Sequence, residues 1–231
     1  MSDSLVSLKQ SLSTRDLTSY LMSQLSTFFP DQHDCDESEA IHFTARTLER
    51  VAHCFRHIGI HYYRDGDTPV FNHLHSDQYA TFLYFFANTV HREGGDPRLA
   101  AKVYYLNKML HGLDVYYAVD LPPIFLFVHP VGTVIGRARF GDFLAVYQNC
   151  TIGGDLDLNY PSLGTGVTMF SGSRVIGRSI IGSNCLIAAG ASVIDHVAPD
   201  NTVTFGQRPT VQSRPTRHTV IECVFQHAAQ L

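Results

Sequence analysis

The sequence predicts an α+β chain: an N-terminal α-helical domain followed by a parallel β-helix made of hexapeptide repeats. Two different periods in the chain predict it. Apolar residues recur at helical spacing as far as Leu113, and from Val128 onward large residues recur every sixth position. With 231 residues, 45% of them hydrophobic, there is enough apolar side chain for a real core. The expected units are a helical domain over 1–117, a β-helix over 118–209 and a tail over 210–231.

In the first unit, Leu17, Tyr20, Leu21 and Leu25 mark one helical stripe, and Leu48, Val51, Ala52 and Phe55 a second. Ser76 is placed to cap a third helix carrying Phe82, Leu83, Phe86 and Val90. The segment REGGDP, Arg92 to Pro97, breaks the pattern, and a fourth helix follows with Val103, Leu106, Leu110 and Leu113 on one side.

In the second unit, Val128, Val134, Phe140, Val146 and Ile152 fall six apart. After an interruption, Leu163, Met169, Val175, Ile181, Ile187 and Val193 resume the step. Four residues after each member of the second series stand Val167, Ser173, Ser179, Cys185, Ala191 and Val197, all small or β-branched. A backbone that turns a corner every six residues explains both series: the large residue fills the interior and the small one fits the crowded corner. Three sides give coils of about eighteen residues, each burying the face of the next. Such a column carries no chemistry of its own, so function must lie in what interrupts it. The polar, Gly-rich stretch GGDLDLNYPSLG, Gly153 to Gly164, reads as a loop thrown out of the column.

Composition narrows the partners. A formal charge of −4, from 17 Lys+Arg against 21 Asp+Glu, offers no basic excess for nucleic acid. The most apolar run, FLYFF at Phe82 to Phe86, is too short to span a bilayer, and Met1 to Phe29 lacks a signal-peptide pattern, so a cytoplasmic protein is expected. Five cysteines, at 35, 54, 150, 185 and 223 without a CxxC pair, argue against disulfides and structural zinc, and no metal is expected. His53, His57 and His61 at four-residue spacing read as a polar helix face, and His196 as ordinary surface.

The stretch HPVGTVIGRARFGDFLAVYQNCTIGG, His129 to Gly154, resembles the serine acetyltransferases of the hexapeptide acyltransferase superfamily. The likeness extends from GGDP at Gly94 to Pro97 through FGQRP at Phe205 to Pro209. It implies a left-handed column and acetyl transfer from acetyl-CoA to the hydroxyl of a small acceptor. By this resemblance His129 is the general base, a role suited to an imidazole that titrates near neutrality. Its carboxylate partner is Asp120, in VDLPP, or Asp114, fifteen residues before His129; both stay open. The donor is expected in a groove between columns of a homotrimer, along Gly153, Gly154, Ser171, Gly172, Ala189 and Gly190, with Arg208 near a phosphate of CoA. Pairing of trimers into hexamers is left open.

The loop departs from the family pattern. Serine-specific members carry Arg-His-Pro where this chain has Asn159, Tyr160 and Pro161, and an acidic residue where it has Val128. The cation and anion that would match a free amino acid are thus absent. Asp96 in GGDP is retained, so Asp96, Asn159 and Tyr160 are the expected acceptor contacts. Serine or a related hydroxy amino acid is the expected acceptor. A sugar or glycan-precursor hydroxyl is the alternative, and a non-catalytic assembly module, with Val220, Ile221, Val224 and Phe225 of the tail as its docking patch, is the other. The same tail could instead cover the end of the column.

Overall fold

The structure is a computed structural model and describes residues 7–31 and 35–225. Four long helices form where the apolar stripes predict them: α1 (Thr14–Phe28), α2 (Glu37–Phe55), α3 (Ser76–Arg92) and α4 (Pro97–His111). Local chemistry fixes their ends. Ser13, Asp36 and Asp96 accept backbone N–H groups at the starts of α1, α2 and α4, and Gly112 ends α4 in the left-handed region. Ser76 is the first residue of α3 and not its cap; His75 holds that position without a side-chain capping bond. Leu113 is buried beyond the end of α4, while Leu110 is exposed.

Helix α3 is the hub. Every residue from Asp77 to Val90 is buried, because α2, α4 and the first coil of the column surround it. Phe125 packs edge-on to Tyr84 and against Phe85, which seats the column on the helical domain. A small sheet of Lys9–Gln10, Thr68–Phe71 and Arg64–Asp65 closes the other side, a feature too short to leave a periodic signal.

The rest of the chain winds as the left-handed parallel β-helix that the six-step spacing and the family resemblance predict. Its first face stacks Phe125–Phe127, Leu144–Val146, Val167–Met169, Cys185–Ile187 and Thr202–Phe205. The second stacks Asp114–Val115, Val134–Ile135, Thr151–Gly153, Arg174–Ile176 and Ser192–Ile194. The third stacks Arg139–Phe140, Ser162–Leu163, Ile180–Ile181 and Val197–Ala198. The strand Asp114–Val115 already belongs to the column, ahead of the boundary expected at 118.

Leu163, Met169, Val175, Ile181, Ile187 and Val193 all point inside, as expected. Burying each such side chain stabilises the stack by roughly 1.5–3 kcal/mol. The earlier series needs correction. Phe127 and Ile135 fill the first coil, whereas Val134 is 43% exposed and Val128 only partly buried. At the far end Ala198 is inside and Val197 is 62% exposed. The cause is a change of step. Successive inward positions are eight residues apart from Phe127 to Ile135, against six from Val146 to Ile152, and five from Ile135 to Phe140 and from Val193 to Ala198.

The tail covers an edge of the column. Gln212–Pro215 pairs antiparallel with Thr202–Phe205, and the chain then runs back along the corner between the third and first faces. There Val220 N–H donates to Asn184 Oδ1, Ile221 lies over Gly166, and Phe225 meets Phe143. Gly59 N–H donates to the Val224 carbonyl, tying the tail to the helical domain. Residues 226–231 of the tail, and Met1 to Val6, lie outside the described residues.

Stacked corners leave little room. A Cβ on Gly164 would stand 2.8 Å from the Gly182 carbonyl carbon and from the Ser183 backbone nitrogen, while a Cβ on Gly153 would meet nothing within 4 Å. Gly164→Ala is expected to cost about 1–3 kcal/mol in urea unfolding and Gly153→Ala less than about 0.5 kcal/mol. Equal losses would refute the tight coil spacing.

Candidate active site at the first corner

His129 and Pro130 are two residues more than the corner needs. Val128 aligns with Tyr147 one coil above and Val131 with Gln148, so the pair is inserted between them and bulges from the foot of the column. The backbone of His129 is left-handed, φ 48°, a conformation unusual outside glycine. Its side chain is 75% exposed. The bulge leaves the His129 N–H without a ladder partner, and Asp77, in the first turn of α3, takes it at 3.0 Å. The same Asp77 Oδ2 stands 3.6 Å from His129 Nδ1, and its side chain is only 9% exposed. A buried carboxylate on the first turn of a helix is favoured by the orphan amides and dipole there.

This corrects the expected dyad. Asp114 receives Tyr104 Oη and Lys108 Nζ, each at 2.6 Å, and Asp120 lies 3.5 Å from Asn88 Nδ2. Among the described residues, the carboxylate paired with His129 is Asp77, fifty-two residues earlier in the chain. No local motif could have found it.

Two further groups back the site. His111, at the end of α4, bonds Asn107 Oδ1 through Nδ1 at 2.8 Å. Burial lowers its pKa, although Asn107 and the Asp77 charge oppose the shift, so the ring is neutral near pH 7. Gly112, the next residue, accepts the Gly132 N–H at 2.9 Å, holding the bulge against α4. Gln148, stacked over the bulge, carries a buried Oε1 with no hydrogen-bond partner among the described residues.

Above Gln148 and Asn149 the corner continues as Ser171–Gly172 and then Ala189–Gly190, so four of the expected donor contacts form one small-residue track rising from His129. Gly190 has nothing within 4 Å of where a Cβ would stand. Gly153 and Gly154 lie across the second face, where the extruded loop leaves the column. A Cβ on Gly154 would strike the Tyr160 ring at 2.8 Å. Asn159 is committed to the loop: its N–H and Nδ2 donate to the Asp155 carboxylate, which its bonds hold below the usual carboxylate range.

Other expected residues do not converge on His129. Asp96 caps α4 at the opposite end of α3 from Asp77, roughly 20 Å away by the rise of a helix. Arg208 is ion-paired with Asp195 at 3.3 Å. His57 and His61 lie beyond the end of α2 at Phe55, so the three histidines do not share a helix face. His196 is half-buried, its Nε2 enclosed without a partner. Among the described residues no cluster of three His, Cys, Asp or Glu could hold a metal, and no helix is long and apolar enough to cross a membrane.

No protein-family model matches the chain. A serine acetyltransferase of Synechococcus elongatus is 33% identical over 111 residues, 46% of this chain and 44% of the relative. The chain thus spans about half the length of the curated relatives it matches. Among solved structures, serine acetyltransferase from Brucella abortus superposes with a TM-score of 0.65 at 17% identity, covering 88% of this chain and 84% of that one. The same enzyme in complex with coenzyme A gives 0.64 at 17% identity, covering 90% and 84%. At such identity these structures share the fold: a helical N-terminal domain and a left-handed β-helix.

The lowered His111 pKa has a sign. A group whose folded value lies below its unfolded one contributes stability that is full above the unfolded value, 6.5 for histidine, and lost as pH falls through the folded value. Urea midpoints are therefore expected to drop between neutral pH and mildly acidic pH, and to drop less in His111→Gln. An unchanged slope in that variant would contradict a buried neutral His111.

Proposed function

We propose that this chain is an acetyl-CoA-dependent O-acetyltransferase of the serine acetyltransferase kind, working as a cytoplasmic homotrimer with no metal. The observation that carries the reading is the His129 bulge, held by Asp77 at the foot of a track of small residues. Curated relatives named serine acetyltransferase, and the coenzyme A complex of the Brucella abortus enzyme, support it.

The acceptor hydroxyl gives its proton to Nε2 of His129 as its oxygen bonds to the thioester carbonyl carbon. The carbon–sulfur bond then breaks, and the departing sulfur takes a proton from the imidazolium, leaving an ester and free CoA. Asp77 is a positioning residue here: its carboxylate fixes the bulge through the backbone and faces Nδ1, where it favours the imidazolium that forms. The pantetheine arm runs along Ser171, Gly172, Ala189 and Gly190, small residues that leave the backbone of the corner open. Gly153 and Gly154 border the same groove across the second face.

Assembly through the columns has support in the surface. Val131, Val134, Ile180 and Val197 are exposed along the second and third faces, and Leu156 and Leu158 stand out from the loop. Such apolar exposure fits contact with a second and third copy of the chain. The loop carries no cation at Asn159 and Tyr160, which favours a sugar hydroxyl as the second acceptor reading.

Free thiol followed with acetyl-CoA and serine, homoserine or amino sugars tests the proposal. One acceptor is expected to release CoA, with kcat falling about 10²–10⁴-fold in His129→Ala. In Asp77→Asn, kcat should fall while KM for acetyl-CoA stays put. Thiol release that survives His129→Ala would overturn the assignment.

A further inference from the structure

A cavity of about 540 Å³ lies on the helical domain, away from the His129 bulge. It opens between α2 and α3 under the Leu121–Pro123 segment, with Arg46, Arg50, His53, Phe85, Arg92 and Leu121 among its walls. The three arginines are not equivalent. Arg46 is ion-paired with Glu49 and with Glu93, at 3.1 Å to the latter, so its charge is spent at the rim. Among the described residues, Arg50 is held by neutral acceptors: Thr89 Oγ1 and Asn88 Oδ1 at 2.8 Å, and the Phe85 carbonyl at 3.3 Å. Its guanidinium carbon lies over the Phe85 ring, 4.5 Å from the centroid. Arg92 makes no ion pair among the described residues.

A half-buried guanidinium fixed by a ring and three neutral oxygens is oriented but not neutralised. Burial lowers its pKa and the Arg92 charge works in the same direction, while Tyr84 and Asp120 oppose the shift. Asp120 faces Asn88 at 3.5 Å and, among the described residues, makes no ion pair with either arginine, although its charge acts on Arg50 favourably. Arg50 retains one Nη2 hydrogen and Nε–H for a ligand, in the planar geometry that suits a carboxylate or phosphate.

We infer that this groove binds a small organic oxyanion, a carboxylate or phosphate carried on an apolar body, with Arg50 and Arg92 gripping the anion and Phe85, Leu121 and Pro123 lining the body. The site is independent of acetyl transfer, since no residue in it reaches the His129 bulge.

Calorimetric titration of the full chain with phenyl phosphate, benzoate and inorganic phosphate tests this. At least one aromatic anion is expected to bind saturably, more tightly than inorganic phosphate, and more weakly as salt is raised. Affinity should fall tenfold or more in Arg92→Ala, whose exposed side chain can be removed without disturbing the fold, and in Arg50→Lys, which keeps the charge but loses the fork. His129→Ala should bind as wild type does, which separates failure here from failure of the catalytic proposal. The inference is overturned if neither aromatic anion binds at millimolar concentration, if inorganic phosphate binds as well as they do, or if both arginine variants keep wild-type affinity.

Discussion

The stack of aliphatic side chains inside the column is the constraint on which the rest of the molecule depends. Each coil has one closed face of apolar residues only because Met169, Val175, Ile187, Val193 and their neighbours sit over one another in register. Parallel strands of two to four residues could not persist alone; they persist because every coil is a template for the next. The interior of the stack is closed, and the insertions this chain carries fall at the corners.

Three corner events follow from that. Two extra residues eject His129 at the foot of the second face. The longer insertion between Ile152 and Leu163 ejects the loop from the opposite edge of that face one coil higher. The third corner is lined by left-handed residues, Phe143, Gly166, Asn184 and Asn201, and receives the tail as a strap. A bulky Phe143 in that conformation is costly. It is offset by packing between His57 of the helical domain and Phe225 of the tail. Histidine and loop are thus on opposite margins of one flat face.

Much of this was legible in the chain. The period of six named the architecture, because no other common backbone produces it, and the apolar stripes placed the four long helices. Their caps were less legible, since Ser76 is inside its helix and Asp96, read as an acceptor contact, is the N-cap of α4. The inward residues of the first coil were not legible. An eight-residue step followed by a five-residue step put Val134 on the expected spacing although Ile135 is the residue inside. Asp77 was hidden for a different reason: its meeting with His129 depends on how α3 seats on the first coil, and nothing in either segment encodes the other. Asp114 was at a plausible distance in sequence, yet Tyr104 and Lys108 on the adjoining helix claim its carboxylate.

A crystal structure with coenzyme A bound tests the central claim most directly. The account predicts the sulfur within about 4 Å of the His129 imidazole, with the pantetheine lying along Ser171, Gly172, Ala189 and Gly190 in a groove between two columns. A sulfur found at another corner, or a coenzyme bound wholly within one column away from His129, would contradict it.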